Sequence, residues 1–193
     1  MNRIHAYAAV LLLLLGPATA ASAQAADAVL SLAELAKPGR VLVLRHAIAP
    51  GVGDPGHFVL GDCSTQRNLD AAGRAQAAEL GRRLARAGIT PARVYSSQWC
   101  RSLDTARLLG LGPVEELPAL NSFFARPQNR EPQMSALRAF LAQLPADGRP
   151  VVLVTHQVVI SALAGRSPGS GGGVILALDG TREPRVLGEL GAN

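Results

Sequence analysis

Two apolar runs in this chain each end on a histidine, Val41-Leu42-Val43-Leu44-Arg45-His46 and Val151-Val152-Leu153-Val154-Thr155-His156. Imidazole is the side chain that can serve as neutral nucleophile, acid or base near neutral pH. Arg45 sets a permanent cation beside His46, and Arg101 supplies a second one in the loop that follows a further strand-like segment, residues 92–96. Guanidinium groups bind anions through paired, charge-assisted hydrogen bonds. Two imidazoles and two guanidiniums with no obvious carboxylate cluster suit a dianion, and phosphate is the expected one. In such a site Arg45, Arg101 and His156 grip the non-bridging oxygens, leaving neutral His46 to attack phosphorus in line. The product is a covalent phosphohistidine that water later cleaves. The flanking cations depress the pKa of His46 and so favour its neutral form.

These residues need a scaffold that brings distant segments together. Short, near-continuous apolar runs rich in β-branched residues read as buried parallel strands, and open α/β sheets gather ligands at the carboxyl ends of such strands. Between the runs, the spacing of Leu69, Ala72, Leu80, Leu84 and Ala87 predicts a long helix capped by Asn68 or Asp70 and ended at Gly88. A short leading helix over residues 31–36, a second crossover helix over 102–109, a third over 135–144 and an apolar one over 158–164 are also expected. Short strands are expected near residues 93–96 and 114. Residues 50–61, with Pro55 and several glycines, form a loop that follows His46 and should lie over the site, and residues 127–132 read as irregular. Residues 169–173 read as a flexible glycine connection, and residues 174–178 and 185–190 as a terminal hairpin turning near 179–180. The alternation predicts a three-layer α/β/α sandwich: a mainly parallel sheet with an antiparallel edge and helices on both faces.

The ends and the composition limit the setting. Arg3, an apolar stretch over residues 8–15, the break at Gly16-Pro17 and Ala-x-Ala sites ending at Ala23 or Ala25 read as a cleavable export signal over residues 1–25. That stretch is far short of the ~20 residues a spanning helix needs. The expectation is one domain over residues 26–193, periplasmic or secreted, without stable membrane insertion after cleavage. The net charge of +5 is carried by arginines spread through the chain, with Lys37 the single lysine and aromatics only 4%, which argues against a nucleic-acid partner. The chain has two cysteines, Cys63 and Cys100, without redox or zinc spacing, and in an exported protein they favour a disulfide. Closing that loop would be worth roughly 4 kcal/mol in the chain-entropy treatment.

The motifs also resemble the histidine phosphatase superfamily, the phosphoglycerate-mutase-like fold. Leu44-Arg45-His46-Ala47 is similar to its Arg-His-Gly signature, with alanine in place of glycine. The segment Ser96-Ser97-Gln98-Trp99-Cys100-Arg101-Ser102-Leu103-Asp104-Thr105-Ala106 resembles its Ser-Ser-x-x-x-Arg-x-x-x-Thr-Ala run, and Val154-Thr155-His156 its later Thr-His. Asn68-Leu69 through Gly73, Gln76 and Leu80-Gly81 resemble the family's first crossover helix. The resemblance spans residues 41–164 and implies that His46 is the nucleophile while Arg45, Arg101 and His156 complete the phosphate pocket, with no metal and no cofactor. The chain departs from the family at the proton donor: Leu120-Asn121-Ser122-Phe123-Phe124 and Gln157 stand where a glutamate or aspartate is expected. Asp62, Asp54, His57 and Glu116 are the substitutes. Asp62 ranks first, because a bond between Cys63 and Cys100 would tether it next to Arg101. Arg67 and Asn68 are candidates for substrate contact, or else serve the helix entry. Trp99 either lines the pocket or fills the core, and Arg126 and Arg130 lie in a loop that can reach substrate.

The leading expectation is therefore an exported hydrolase of phosphomonoesters acting on a small phosphorylated substrate. Cell-envelope sugar phosphates and phosphohistidine are the classes to weigh. A catalytically weak phosphate-binding module of the envelope is the alternative, favoured by the missing standard donor. A Cys/His metal-binding protein is a third. Nothing in the sequence sets an oligomeric state.

Overall fold

The strands form where the β-branched runs predict them. The computed structural model describes residues 32–145, 147–178 and 183–192. The elements are α1 (Leu32–Leu35), β1 (Arg40–Arg45), α2 (Ala71–Arg86), β2 (Arg93–Ser96), α3 (Cys100–Leu109), β3 (Val114–Glu116), α4 (Arg130–Ala142), β4 (Val151–Thr155), α5 (Gln157–Ala164), β5 (Gly173–Ala177) and β6 (Arg185–Leu190). One sheet of six strands runs in the order β3-β2-β4-β1-β5-β6. Strands β3, β2, β4 and β1 are parallel, while β5 and β6 are antiparallel to their neighbours, so the expected antiparallel edge is present.

Because side chains alternate across a strand, each central strand feeds two cores. Leu42, Leu44, Val94, Val152, Val154 and Ile175 pack with Leu35, Leu80, Leu84, Ala106 and Leu109 on the face covered by α1, α2 and α3. Val41, Val43, Val151, Leu153, Val174 and Leu176 pack with Leu137, Leu141, Val159, Ile160 and Leu163 on the face covered by α4 and α5. The three-layer α/β/α sandwich follows. The chain steps outward from β1 to β3 with its helices on one face and returns to β4 with its helix on the other, as a constant crossover hand requires. No helix among the described residues is long and apolar enough to cross a membrane.

Local chemistry sets the ends of α2. The Asp70 carboxylate accepts from Gly73 N at 2.7 Å, so Asp70 rather than Asn68 is the cap, and Gly88 has a positive φ of 81° just past the end. Helix α4 starts five residues earlier than its periodicity predicts, at Arg130 instead of Ser135. Pro132 falls in its first turn, where a missing N–H costs nothing, and Leu144-Pro145 ends the helical region.

The glycine run is not the flexible connection expected of it. Gly171 N donates to the carbonyls of Arg45 and His46, Gly172 O accepts from Arg45 N at 2.8 Å, and a Cβ on Gly173 would stand 2.5 Å from Val43 O. The glycines give room for backbone to cross backbone at the end of β1. The export signal over residues 1–25 and the hairpin turn near 179–180 lie outside the described residues.

Candidate active site

Strands β1 and β4 pair in register, Arg45 opposite Thr155, so the next residue of each leaves the sheet at the same edge. His46 N donates to Thr155 O at 2.9 Å, and the rings of His46 and His156 stand with centroids 5.5 Å apart, edge to face. The convergence expected of the two histidines is therefore a consequence of strand pairing. Arg101 arrives from the first turn of α3, and its Nε lies 3.3 Å from His46 Nε2. All three side chains are buried. Arg45 reaches the same crevice and donates from Nη1 to Pro168 O at 3.1 Å, while its buried Nε has no protein partner. A buried donor of that kind is costly unless an anion meets it.

The neighbouring motif residues hold this ring in place. His46 Nδ1 is 2.7 Å from its neighbour's carbonyl, Ala47 O, which fixes the proton there and leaves Nε2 with its lone pair toward Arg101. Thr105 Oγ1 accepts from Ala47 N at 3.0 Å and donates to Arg101 O at 2.7 Å, tying β1's exit to α3. Ser97 Oγ meets His156 Nε2 at 2.7 Å. Gln76 accepts from Ile48 N and donates to Ser170 O, binding the loop after His46 to the glycine run. Burial first, then the fields of Arg101, Arg67 and Arg45, push the His46 pKa down to about 3 against the bond to Ala47. Burial and Arg101 likewise lower His156 well below the ordinary range. Both imidazoles are therefore held neutral at neutral pH.

A carboxylate joins the ring, and it is one of the four substitutes considered for the missing proton donor. Asp54, from the loop after His46, takes both Nη atoms of Arg101, at 2.7 and 3.1 Å, and accepts from Trp99 Nε1 at 3.0 Å and Arg67 N at 3.1 Å. Burial raises its pKa, but the bond to Arg101 and the remaining donors outweigh burial and hold it below the usual carboxylate value.

Asp62, ranked first as proton donor, is corrected by its position. It is exposed, does not line the crevice, and caps the short helical turn Cys63–Thr65 by accepting from Ser64 N at 3.0 Å and Ser64 Oγ at 2.7 Å. The premise behind that ranking holds, since Cys63 and Cys100 form a disulfide with S–S 2.02 Å. The bond tethers a sulfur, but the local cap decides where the preceding carboxylate points. His57 and Glu116 also lie off the crevice lining.

The crevice has a volume of about 780 Å³. Arg67 lines it and is clamped by Gly53 O and Ala49 O, whereas Asn68 turns away to donate to Cys63 O. Trp99 lines it too, its edge toward His156 with centroids 5.3 Å apart. Arg126 lies at its wall, and Arg130 in an adjoining groove. The loop over residues 51–60 covers it, as its place after His46 predicts. Asn121 stands where the family glutamate was sought and is used structurally, accepting from Gln98 N and donating to Gln98 Oε1. Because the sulfurs of Cys63 and Cys100 are bonded to each other, a Cys/His metal centre lacks its thiolates. No cluster of three metal-ligating side chains occurs among the described residues.

Comparison with known proteins agrees with this fold. Residues 61–126 match the model of the histidine phosphatase superfamily (branch 1). Similar solved structures include a mycobacterial glucosyl-3-phosphoglycerate phosphatase complexed with VO3, at 20% identity and TM-score 0.57, covering 76% of this chain and 95% of that one. The protein histidine phosphatase SixA complexed with tungstate aligns at 18% identity and TM-score 0.58, covering 79% and 97%. A structure described as mycobacterial hydrolase 1 aligns at 20% identity and TM-score 0.61, covering 81% and 100%. Sequence comparison with curated proteins gives no match.

Proposed function

We propose that the chain is a member of the histidine phosphatase superfamily, whose model matches residues 61–126 and whose fold it shares, and that its crevice hydrolyses phosphomonoesters through a phosphohistidine on His46. The observation that carries this reading is the single seat formed by His46 Nε2, Arg101, His156 and the unpartnered Arg45 Nε. A phosphoryl group placed there meets cations on its non-bridging oxygens and a neutral imidazole nitrogen whose lone pair is released to phosphorus as Arg101 turns to the phosphate. As the Nε2–P bond forms, the ester P–O bond breaks and the alcohol leaves toward the crevice mouth. Water then attacks phosphorus, the Nε2–P bond breaks, and phosphate departs.

The alcohol needs a proton, and Asp54 is the carboxylate we assign to give it. One Arg101 guanidinium touches His46 Nε2 at 3.3 Å and Asp54 Oδ1 at 2.7 Å. Guanidinium nitrogens on ~1.33 Å bonds stand about 2.3 Å apart, so the nucleophile and the carboxylate are within about 8 Å. An in-line path from nitrogen through phosphorus and the leaving oxygen to a donor is roughly 7 Å long. A bound dianion competes for Arg101 and raises the Asp54 pKa by like charge, so the group gains a proton from the incoming monoanion or from solvent. It passes that proton to the leaving oxygen and recovers one from the hydrolytic water.

An oxidising extracytoplasmic space is the proposed location, supported by the export-like residues 1–25 and by the disulfide. The binding-module reading keeps one observation in its favour: Asp54 is ionised and ion-paired in the free protein. Turnover decides between them. The wild type should cleave an activated aryl phosphate and form an acid-labile phosphoryl adduct. His46→Asn should lose the adduct and at least a thousandfold in kcat. Phosphate binding without turnover of any ester would establish the binding module instead.

A further inference from the structure

The large apolar side chains most open to solvent among the described residues are Val52 at 89%, Phe124 at 59%, Val59 at 54% and Leu60 at 42%, and all four line the crevice that holds the histidines. Exposed apolar groups scattered singly need no explanation, but a set gathered on one concavity marks a contact surface. Apolar surface also connects this rim to the phosphate seat. Phe58 stacks on Trp99 with centroids 5.0 Å apart, and the Trp99 edge meets His156. The one polar atom of Trp99 is already committed to Asp54, so this wall offers a ligand carbon surface without a donor. On the other side, Phe124 and Val158 are shared with an adjoining groove that continues over Phe123 and Ala162.

We propose that the substrate is an amphiphilic phosphomonoester, a phosphate joined to a leaving group whose aliphatic chain or aromatic body lies along this rim. The inference rests on the phosphatase reading and names its substrate class. A volume of about 780 Å³ is far more than one phosphoryl group fills, and the apolar side chains stand around a concavity that a flat surface does not enter. The guanidiniums at its base and the apolar mouth are complementary to the two ends of one molecule. A sugar phosphate could use only the polar part of the lining, Asn121, Ser122, Asn129 and Gln133, and would leave the apolar surface of Phe58, Val59 and Leu60 uncovered.

The test is a series of 4-alkylphenyl phosphates from methyl to hexyl, assayed below their micellar concentrations. The para chain lengthens while the acidity of the leaving phenol stays nearly constant, so the series reads the rim apart from the proton donor. Each methylene taken into the crevice should raise kcat/KM by about twofold to fourfold, giving a hexyl-to-methyl ratio of at least about thirty. In Val59→Ser/Phe124→Ser that ratio should fall below about five. A wild-type ratio within twofold of unity overturns the proposal, and it does so whether or not the double variant folds. Preference for glucose 6-phosphate over hexyl phosphate overturns it as well. Loss of turnover on unsubstituted phenyl phosphate is the separate failure of the phosphatase reading. Dodecyl phosphate offered in phosphatidylcholine vesicles, against hexyl phosphate in solution, identifies the source as bilayer or free monomer. Faster cleavage from either source supports the amphiphile.

Discussion

The Arg101 guanidinium links the two groups given opposite purposes in the proposed mechanism, His46 as nucleophile and the Asp54 carboxylate as proton donor. If Asp54 only positions Arg101, its loss harms every substrate alike. If it protonates the leaving oxygen, its loss matters in proportion to how poor that leaving group is. For Asp54→Asn, the expected outcome is a fall in kcat at least a hundredfold larger on an alkyl phosphate than on 4-nitrophenyl phosphate. Equal falls on the two esters would assign the residue to positioning alone. The wild type carries a second check, because a working donor makes the rate nearly independent of leaving-group pKa. At this scale the nucleophile and its cations are legible in the sequence, since His46, His156, Arg45 and Arg101 sit beside recognisable strands and turns. Asp54 is not. Its claim comes from a loop with Gly53 before it and Pro55-Gly56 after it, and only the folded path of that loop shows its carboxylate turned onto Arg101 while Asp62 turns to Ser64.

The loop that carries Asp54 and Arg67 has only the short helical turn Cys63–Thr65 and depends on its fastenings. Cys63 is bonded to Cys100 at the first residue of α3, Gln66 Oε1 accepts from Cys100 N at 3.0 Å, and Thr65 Oγ1 accepts from Val59 N at 2.9 Å. The disulfide spans 37 residues, so replacing both cysteines by serine should lower unfolding free energy by about 2–4 kcal/mol. Denaturant titration measures that loss. The same change should free the loop from α3, so KM should rise more than Tm alone accounts for, even at temperatures where the variant is fully folded. Unchanged KM in the folded variant would mean the bond is a staple for the chain and not a brace for the site. Helix α2 shows how far sequence pattern reaches at this scale. Its periodicity and its caps are plain, and Gly73 and Gly81 are visible in it. What requires them is a tertiary fact: a Cβ would stand 1.9 Å from Ile48 O at one and 2.1 Å from Leu109 O at the other. The early start of α4 was hidden for a related reason, because Pro132 reads as a breaker until its place in a first turn is known.

For the molecule as a whole, the two buried imidazoles join the chemistry of the crevice to the stability of the fold. In the unfolded chain each histidine takes up a proton near pH 6.5, whereas in the native protein burial and the surrounding guanidiniums hold His46 neutral down to about pH 3 and depress His156 as well. Between those limits the unfolded state binds more protons than the native one, so stability is complete above about pH 6.5 and declines as the solution is acidified. The slope approaches about 1.4 kcal/mol per pH unit for each histidine. Carboxylates with lowered pKa, Asp54 and Asp147 among them, act in the same direction, but only near and below their unfolded value of about 4. The imidazoles therefore dominate the interval from pH 6 to 4.5, with Glu34 and Glu79 joining only at its lower end. Urea titrations in buffers free of phosphate and sulfate should give an unfolding free energy that falls by about 2 to 4 kcal/mol across it, a large share of the 5–15 kcal/mol typical of a domain. His46→Asn removes one of the two titrating groups and should roughly halve the slope, and saturating phosphate should raise stability through its binding energy. A flat profile from pH 6 to 4.5 would mean that the native protein admits protons to these rings, and the neutral nucleophile would then lose its physical basis.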